Sequence, residues 1–304
     1  MWLYLVALVG LWTLLRLIRE RQVVSHLQDK HVFITGCDSG FGNLLARLLD
    51  RRGMRVLAAC LTEKGAEELR NKTSDRLETV ILDVTKTESI VAATQWVKER
   101  VGNRGLWGLV NNAGISIPSG PNEWLNKEDF AKILDVNLLG VIEVTLSMLP
   151  LVRKARGRVV NVSSIMGRVS FFGGGYSISK YGVEAFSDSL RRELSYFGVK
   201  VAVVEPGFFS TGASNTDMHL CYAKMLWDRA SSEVKEVYDR AKVTGPKVQQ
   251  GPLLGDGLHG ACADFPSPPD PIFSWLGCQA LLHPCELPAN LSCRCHLLQG
   301  LSEA

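Results

Sequence analysis

An α/β fold built on a doubly wound parallel sheet is the architecture the sequence predicts up to about residue 207. Three observations carry it. Short runs rich in Val, Ile and Leu recur along the chain, each followed by a segment of helical spacing, and glycines crowd the first strand-to-helix turn. Strands apolar on both sides and separated by helices imply a parallel sheet covered on both faces. Right-handed crossovers then favour the doubly wound arrangement.

The elements follow in order. HVFITG (His31–Gly36) reads as a first strand, and Phe41–Arg52 as a helix carrying Leu44, Leu45, Leu48 and Leu49. RVLAACL (Arg55–Leu61) and LETVILDV (Leu77–Val84) are the second and third strands, separated by a helix over Glu63–Asn71. Glu88–Val101 is helical, with Ile90, Ala93, Val97 and Val101 on one side. WGLVN (Trp107–Asn111) is the fourth strand, Lys127–Leu149 a long helix and RVVNVS (Arg158–Ser163) the fifth strand. Tyr176–Tyr196 is helical, and Val199–Glu205 is the sixth strand.

With 304 residues the chain can bury a full core, and 46% hydrophobic against 21% charged residues excludes a disordered chain. A net charge of +3, without dense Lys/Arg interleaved with aromatics, argues against a nucleic-acid partner. Met1–Leu15 is strongly apolar and is followed by Arg16, Arg19 and Arg21. Counting Leu17 and Ile18, it approaches the roughly 20 residues of a spanning helix, and it lacks a signal-peptide cleavage site. A retained anchor over 1–18 is expected, with the domain on the cytosolic side by the positive-inside bias. The competing reading is a buried core helix.

Between the first strand and first helix lies Thr35-Gly36-Cys37-Asp38-Ser39-Gly40-Phe41-Gly42. Glycines there let the backbone approach a pyrophosphate resting on the helix N-terminus. The end of the second strand, Ala59 to Thr62, offers neither an acid for ribose hydroxyls nor an Arg for a further phosphate. That leaves NAD as the expected cofactor, with Lys64 keeping NADP open. Asp83 could accept from the adenine amino group or simply cap the Thr85–Lys86 turn.

Tyr176 and Lys180 stand four apart on one helix face. A tyrosine of pKa about 10 is a poor base at neutral pH, and a neighbouring ammonium is expected to draw it down. Alone, the pair is no more than two surface side chains. Asn111-Asn112-Ala113-Gly114, Ser163-Ser164 and Pro206-Gly207 close the fourth, fifth and sixth strands at the edge where such sheets bind ligands.

TGxxxGxG, NNAG, Asn137, Ser, YxxxK and PG, in this order, resemble the short-chain dehydrogenase/reductase superfamily, whose fold is Rossmann-like. The resemblance implies Tyr176 as general acid/base, Lys180 as its partner on the nicotinamide ribose, Ser164 orienting the substrate oxygen and Asn137 supporting a water relay. Ser164 is preferred to Ser163 because Ser164-Ile165-Met166-Gly167 fits the S-x-x-G pattern. It further implies cofactor contacts from Gly36, Ser39, Gly40, Phe41, Gly42, Asp83, and Asn112 to Gly114. Tyr176, Lys180, Pro206, Gly207 and Thr211 complete that set.

MWLYL, RERQVVSHL, FITGCDSGFG, VLAACLTEKGAEEL, DVTKTES and RRELSYFGVKVAVVEPG narrow the likeness to the microsomal retinol and hydroxysteroid dehydrogenases. This implies an endoplasmic-reticulum membrane protein oxidising all-trans-retinol or 3α- and 17β-hydroxysteroids, chiefly with NAD. The dehydrogenase domain spans 29–243, and dimer contact through the two long helices is expected. Phe171, Phe172, Phe208 and Phe209 suit a lipophilic ligand or the core equally well. A dehydratase or epimerase shares YxxxK but carries a longer substrate domain.

From residue 244 the texture changes. Eight of the twelve prolines lie between Pro246 and Pro288, five of the eight cysteines follow Cys262 inclusive, and no periodicity survives. Paired C-x-x-C knuckles are absent, so zinc is not expected at Cys285, Cys293, Cys295, His283 and His296. IFSWLGCQALL (Ile272–Leu282) can be back-translated so that one base on it reads YSAGWDAKLF, which resembles the seventh-strand region of the retinol dehydrogenases. A frame-shifted, poorly ordered tail over 244–304 is expected, leaving the sixth strand an unpaired edge with low stability and poor turnover. The second functional reading is therefore a non-catalytic variant that binds dinucleotide or partner subunits. Asn71-Lys72-Thr73 is a glycosylation sequon that reports on orientation.

Overall fold

The computed structural model describes residues 24–170, 173–207, 216–244 and 294–296, with residues 2, 4, 7 and 9–14 of the N-terminal stretch. Thr211 and the four phenylalanines lie outside the described residues, as does the tail apart from Arg294–His296.

Seven parallel strands run in the order β3-β2-β1-β4-β5-β6-β7. They are β1 (His31–Thr35), β2 (Arg55–Cys60), β3 (Leu77–Ile81), β4 (Gly108–Asn111), β5 (Arg158–Val162), β6 (Lys200–Glu205) and β7 (Arg294–His296). The helices are α1 (Gly40–Arg51), α2 (Glu63–Arg70), α3 (Thr87–Val101), α4 (Lys127–Leu134), α5 (Gly140–Lys154), α6 (Gly175–Ser195), α7 (Thr216–Arg229) and α8 (Ser232–Thr244). Six predicted strands and the helices between them are present, displaced by a residue or two at their ends. The third strand is shorter than expected, so Asp83 lies past it in a turn.

Period-2 alternation splits the core. Val32, Ile34, Val56, Ala58, Val110 and Val160 face Leu45, Leu49 and Leu69 of α1 and α2. Phe33, Leu57, Ala59, Leu109, Val159 and Val201 face the other side, against Ile90, Val97, Val144, Met148, Leu190 and Leu194 from α3, α5 and α6. Cys37 and Cys60 are buried free thiols in the first layer. Desolvation pushes the Cys60 thiol up to about 12, which keeps it unreactive.

The seventh strand corrects the expected open edge. Val203, Val204 and Glu205 pair in parallel with Arg294, Cys295 and His296. Edge pairing uses main-chain N–H and C=O groups, so a segment without a strand-like side-chain pattern can still fill the position. The helices α7 and α8 were also unforeseen. Leu226 of α7 is fully buried and reaches Gly120, while Trp124 meets Trp227 at 4.9 Å and Tyr238 at 5.4 Å between ring centroids. Arg229 pairs with Asp129, fastening α7 to α4.

Among the described residues, one helical run, Lys127–Lys154, is long and apolar enough by length and composition to cross a membrane. It lies in the helical layer beside α3 and α6, with Val144, Met148 and Val152 in the core. The described apolar residues of the N-terminal stretch, Trp2, Tyr4, Val9, Leu11, Trp12 and Leu14, are all exposed. These side chains do not form the buried core helix of the competing reading.

Candidate active site

Sheet order reverses direction between β1 and β4, and the loops at that switch point form the crevice where open α/β sheets bind ligands. Gly36 adopts φ +70°, and a Cβ there would lie 2.8 Å from the Ala113 Cα. At Gly42 a Cβ would lie 2.4 Å from the Gly36 carbonyl oxygen. Both positions demand glycine for close backbone approach. Asn112 Nδ2 donates to the carbonyls of Thr35 (2.9 Å) and Gly36 (3.0 Å), while Thr35 Oγ1 accepts from the Asn112 and Ala113 amides, both at 3.0 Å. Thus the first and fourth strand ends are tied into one rigid floor. Ser39 is the N-cap of α1 with no side-chain capping bond, next to Gly40 at φ +60° and Phe41 in the first turn.

One residue of this loop was missed in the sequence. The Asp38 carboxylate accepts from the Leu61 amide (2.7 Å), the Thr62 amide (2.9 Å) and Thr62 Oγ1 (2.7 Å). An acid therefore does stand at the end of β2, delivered from the glycine loop. Local sequence at Ala59–Thr62 cannot reveal a group that arrives from residue 38.

Asp83 is engaged in its own turn. It accepts from the Thr85 amide (3.0 Å) and hydroxyl (2.7 Å) and pairs with Lys86 at 3.2 Å. The Thr85 hydroxyl, foremost among these donors, holds its carboxyl below the usual range although partial burial opposes this.

At the neighbouring rim, Tyr176 and Lys180 lie in the first turns of α6. Lys180 Nζ is 5.7 Å from the Tyr176 ring centroid and donates to the Val162 carbonyl at 2.9 Å. Burial pushes the Tyr176 phenol above its ordinary value, and a hydrogen bond with Ser164 opposes the rise. The net direction is upward, against the fall expected from a neighbouring ammonium, because burial outweighs it. Lys180 is itself desolvated, and burial lowers its pKa from 10.5 to about 8, with Glu184 pulling the other way.

The two serines separate cleanly. Ser164 caps the turn over Ile165–Gly167, accepting from the Met166 amide at 3.2 Å, and its hydroxyl faces Tyr176. Ser163 turns the other way, donating to the Lys180 carbonyl at 3.4 Å. Pro206 meets both sides of this rim, its carbonyl accepting from the Ile165 amide at 2.9 Å and from Ser164 Oγ at 3.5 Å. Gly207 follows it, and a Cβ there would meet nothing within 4 Å among the described residues.

Asn137 sits in a π-helical turn, Asp135–Leu139, between α4 and α5. Such turns are frequent at functional sites because they re-aim the residues around them. Its side chain is fully buried and clamps Ile115, accepting from the amide and donating to the carbonyl, both at 2.8 Å. It also donates to Ser179 Oγ at 3.2 Å. The side-chain amide is thus engaged by protein, and a Cβ on Gly114 would come within 3.2 Å of Asn137 Oδ1 and 3.7 Å of Lys180 Nζ. Close packing joins Asn137, Gly114 and Lys180 into one wall.

Behind the wall lies a second group that sequence reading did not find. Arg168 pairs with Glu184 and, at 3.0 Å, with Glu205. Burial, with Glu205 nearby, holds the Glu184 carboxyl above its usual range despite the opposing Ser163 hydrogen bond and Arg168. On α7, His219 Nε2 lies 3.4 Å from Ser116 Oγ, beside the same rim.

Comparison with known proteins agrees with this geometry. The short chain dehydrogenase family matches residues 30–219. Retinol dehydrogenase 16 of Mus musculus is 84% identical over 238 residues, covering 78% of this chain and 75% of the relative. The 17-beta-hydroxysteroid dehydrogenase type 6 of Homo sapiens is 72% identical over the same shares of both chains. Among solved structures, a short-chain dehydrogenase from Streptomyces avermitilis is 34% identical with a TM-score of 0.56, covering 60% of this chain and 67% of its own. The chain is a member of the short-chain dehydrogenase family, an oxidoreductase on a Rossmann-like sheet.

Proposed function

We propose that this chain exchanges a hydride between NAD and a lipophilic secondary or allylic alcohol, with all-trans-retinol and 3α- or 17β-hydroxysteroids as the substrate class. The observation that carries the reading is the meeting of Tyr176, Ser164 and Lys180 at the sheet edge beside the glycine floor. The names of the relatives support retinol and 17β-hydroxysteroids within that class.

The dinucleotide, when bound, takes up or gives the hydride; the protein handles the proton. Ser164 holds the substrate oxygen next to the Tyr176 hydroxyl, and in the oxidation direction deprotonated Tyr176 removes the alcohol proton. Lys180, with a pKa of about 8, lies close enough to stabilise the phenolate as it forms. Asn137 contributes by holding the Ile115 loop against Gly114, not through a free amide. The residues fit a dinucleotide, because the loop packs tightly on itself at Gly36 and Gly42 while the space beside Gly40, at the start of α1, is open among the described residues. Asp38 supports NAD over NADP, since a further ribose phosphate at the end of β2 would meet its carboxylate.

Membrane anchoring through residues 1–18 is part of the proposal, supported by the exposure of Trp2, Val9, Leu11 and Trp12. An endoplasmic-reticulum location with the domain facing the cytosol belongs to the same reading, supported by Arg16, Arg19 and Arg21 following the apolar run. Homodimer contact through α5 and α6 is supported by exposed Leu139, Leu146, Ile178 and Tyr181 on that side.

NAD-dependent oxidation of retinol and androstanediol by microsomes carrying the full chain tests the function. Tyr176→Phe is expected to lower turnover by about 10²- to 10⁴-fold with little change in stability. Equal rates in chain and variant would reject the site. Dinucleotide binding without any turnover favours the non-catalytic reading.

A further inference from the structure

Charge on this domain is segregated by sheet edge. In a parallel sheet with antiparallel helices, strand starts and helix ends share one edge, opposite the active rim. Strand starts bring Lys30, Arg55 and Lys200 there, and the turn before β4 brings Arg104. The end of α5 adds Arg153 and Lys154, and the turn after it adds Arg156. Carboxylates on this edge are Asp29, Asp50, Asp75, Glu78, Glu99 and Glu193, of which Asp29 pairs with Arg104, Asp50 with Arg76 and Glu78 with Arg100. The opposite rim holds Asp38, Glu63, Asp83, Glu88, Glu123, Glu128, Asp129, Glu184 and Glu205 against Lys64, Lys86, Lys127, Arg168, Lys180 and Arg229, so carboxylates outnumber cations there. Among the described residues, the cations therefore gather at the amino edge.

Helix macrodipoles account for cations in the last turn of α5. They do not account for Lys30, Arg55 and Lys200 at strand starts, or for Arg104 and Arg156 in connections. Arg156 also holds φ 45°, a backbone region that favours glycine. Two aromatic side chains project from the same edge: Tyr196 is 89% exposed and Phe197 51% exposed. The Arg153 guanidinium lies 5.4 Å from the Phe197 ring. Exposed aromatics ringed by cations match the interfacial zone of a bilayer, where rings sit at headgroup level and cations meet anionic lipid. Chain continuity adds an independent constraint, because the segment leading from Arg16–Arg21 enters β1 at this edge.

We infer that the amino edge of the sheet, with Arg153, Lys154, Arg156, Lys200, Tyr196 and Phe197 at its centre, is a docking surface for anionic phospholipid headgroups, which turns the active rim away from the bilayer plane. The inference builds on the proposed anchor but concerns different residues, and turnover plays no part in its test.

The full chain is reconstituted with vesicles of phosphatidylcholine alone or with roughly 30% phosphatidylserine, and lysine acylation is followed by mass spectrometry. In anionic vesicles at about 0.1 M salt, labelling of Lys30, Lys154 and Lys200 is expected to slow by about threefold or more and to recover at about 0.5 M salt. Lys64, Lys86 and Lys127 on the opposite rim are expected to label equally in both. Arg153→Glu with Arg156→Glu, both exposed positions, is expected to abolish the protection. Equal labelling of the amino edge in both vesicle types would overturn the inference. So would protection in neutral vesicles that grows with protein density, which reports a protein contact. Co-sedimentation with neutral vesicles reads the anchor separately: a chain that sediments only with anionic vesicles removes the anchor and still supports the docking edge.

Discussion

Lys180 illustrates how an active site works against its own fold. Its ammonium is fully enclosed, and a pKa of about 8 against 10.5 corresponds to a penalty of about 3 kcal/mol on the charged form. Lys180→Met removes that penalty but leaves the Val162 carbonyl without its donor, which costs about 1 kcal/mol. The variant is expected to gain about 1–2 kcal/mol at pH 7, seen as a Tm a few degrees higher, while losing turnover. The sign follows from linkage. The wild type carries the full penalty below about pH 8 and regains stability as pH rises from there toward 10.5, so the two Tm curves should converge in that window. Thermal scans at pH 7 and pH 9.5 check this. Asp38 provides a second test at the same scale. Asp38→Ala should raise the ratio of NADP to NAD efficiency by about tenfold, measured as kcat/KM for each dinucleotide. Sequence spacing alone brought Tyr176 and Lys180 together because four residues on a helix guarantee a shared face. It missed Asp38 because that contact spans 23 residues.

Elements contribute through the junctions they make. Arg168 leaves the turn after β5 and joins Glu184 on α6 to Glu205 at the end of β6, one helical turn behind Lys180. Both glutamates are buried, so Arg168→Met takes the Arg168 ion pair away from two enclosed carboxylates. The expected loss is about 3–5 kcal/mol at neutral pH by chemical denaturation. Glu184 has its folded pKa raised, so its stability contribution is fullest below the unfolded carboxylate pKa and falls as pH rises through the folded one. The Arg168→Met deficit should therefore shrink as pH falls into the carboxylate range; a deficit that is constant with pH would contradict this account. Strands β1 to β6 and the helices between them were legible because buried parallel strands are apolar throughout and the helices show a 3.6-residue period. The π turn at Asp135–Leu139 was not, since a single inserted residue barely disturbs that period. Nor were α7 and α8, which dock through scattered contacts such as Leu226, Trp227 and Tyr238.

At the scale of the whole molecule, the sheet is completed by a segment unlike the rest. Pairing of Arg294–His296 with β6 closes the edge through main-chain bonds, which no residue pattern in the tail announces. Three residues cover only half of β6, from Val203 to Glu205, directly beside Pro206 and the Ser164 rim. A short edge strand resists local opening poorly, and opening there would loosen the position of Ser164 against Tyr176. The relatives extend over a quarter of their own length that this chain does not match, as the 75% coverage of mouse retinol dehydrogenase 16 shows. If that unmatched part supplies the C-terminal side of the substrate cleft, the chain should bind NAD normally and turn over retinol poorly. A chimera joining residues 1–243 to the C-terminal part of mouse retinol dehydrogenase 16 is then expected to raise kcat/KM for retinol by about tenfold or more, with the dissociation constant for NAD changed little. Equal kcat/KM in the chain and the chimera would show that the tail in hand is sufficient, and that the Tyr176 site needs nothing further from that end of the molecule.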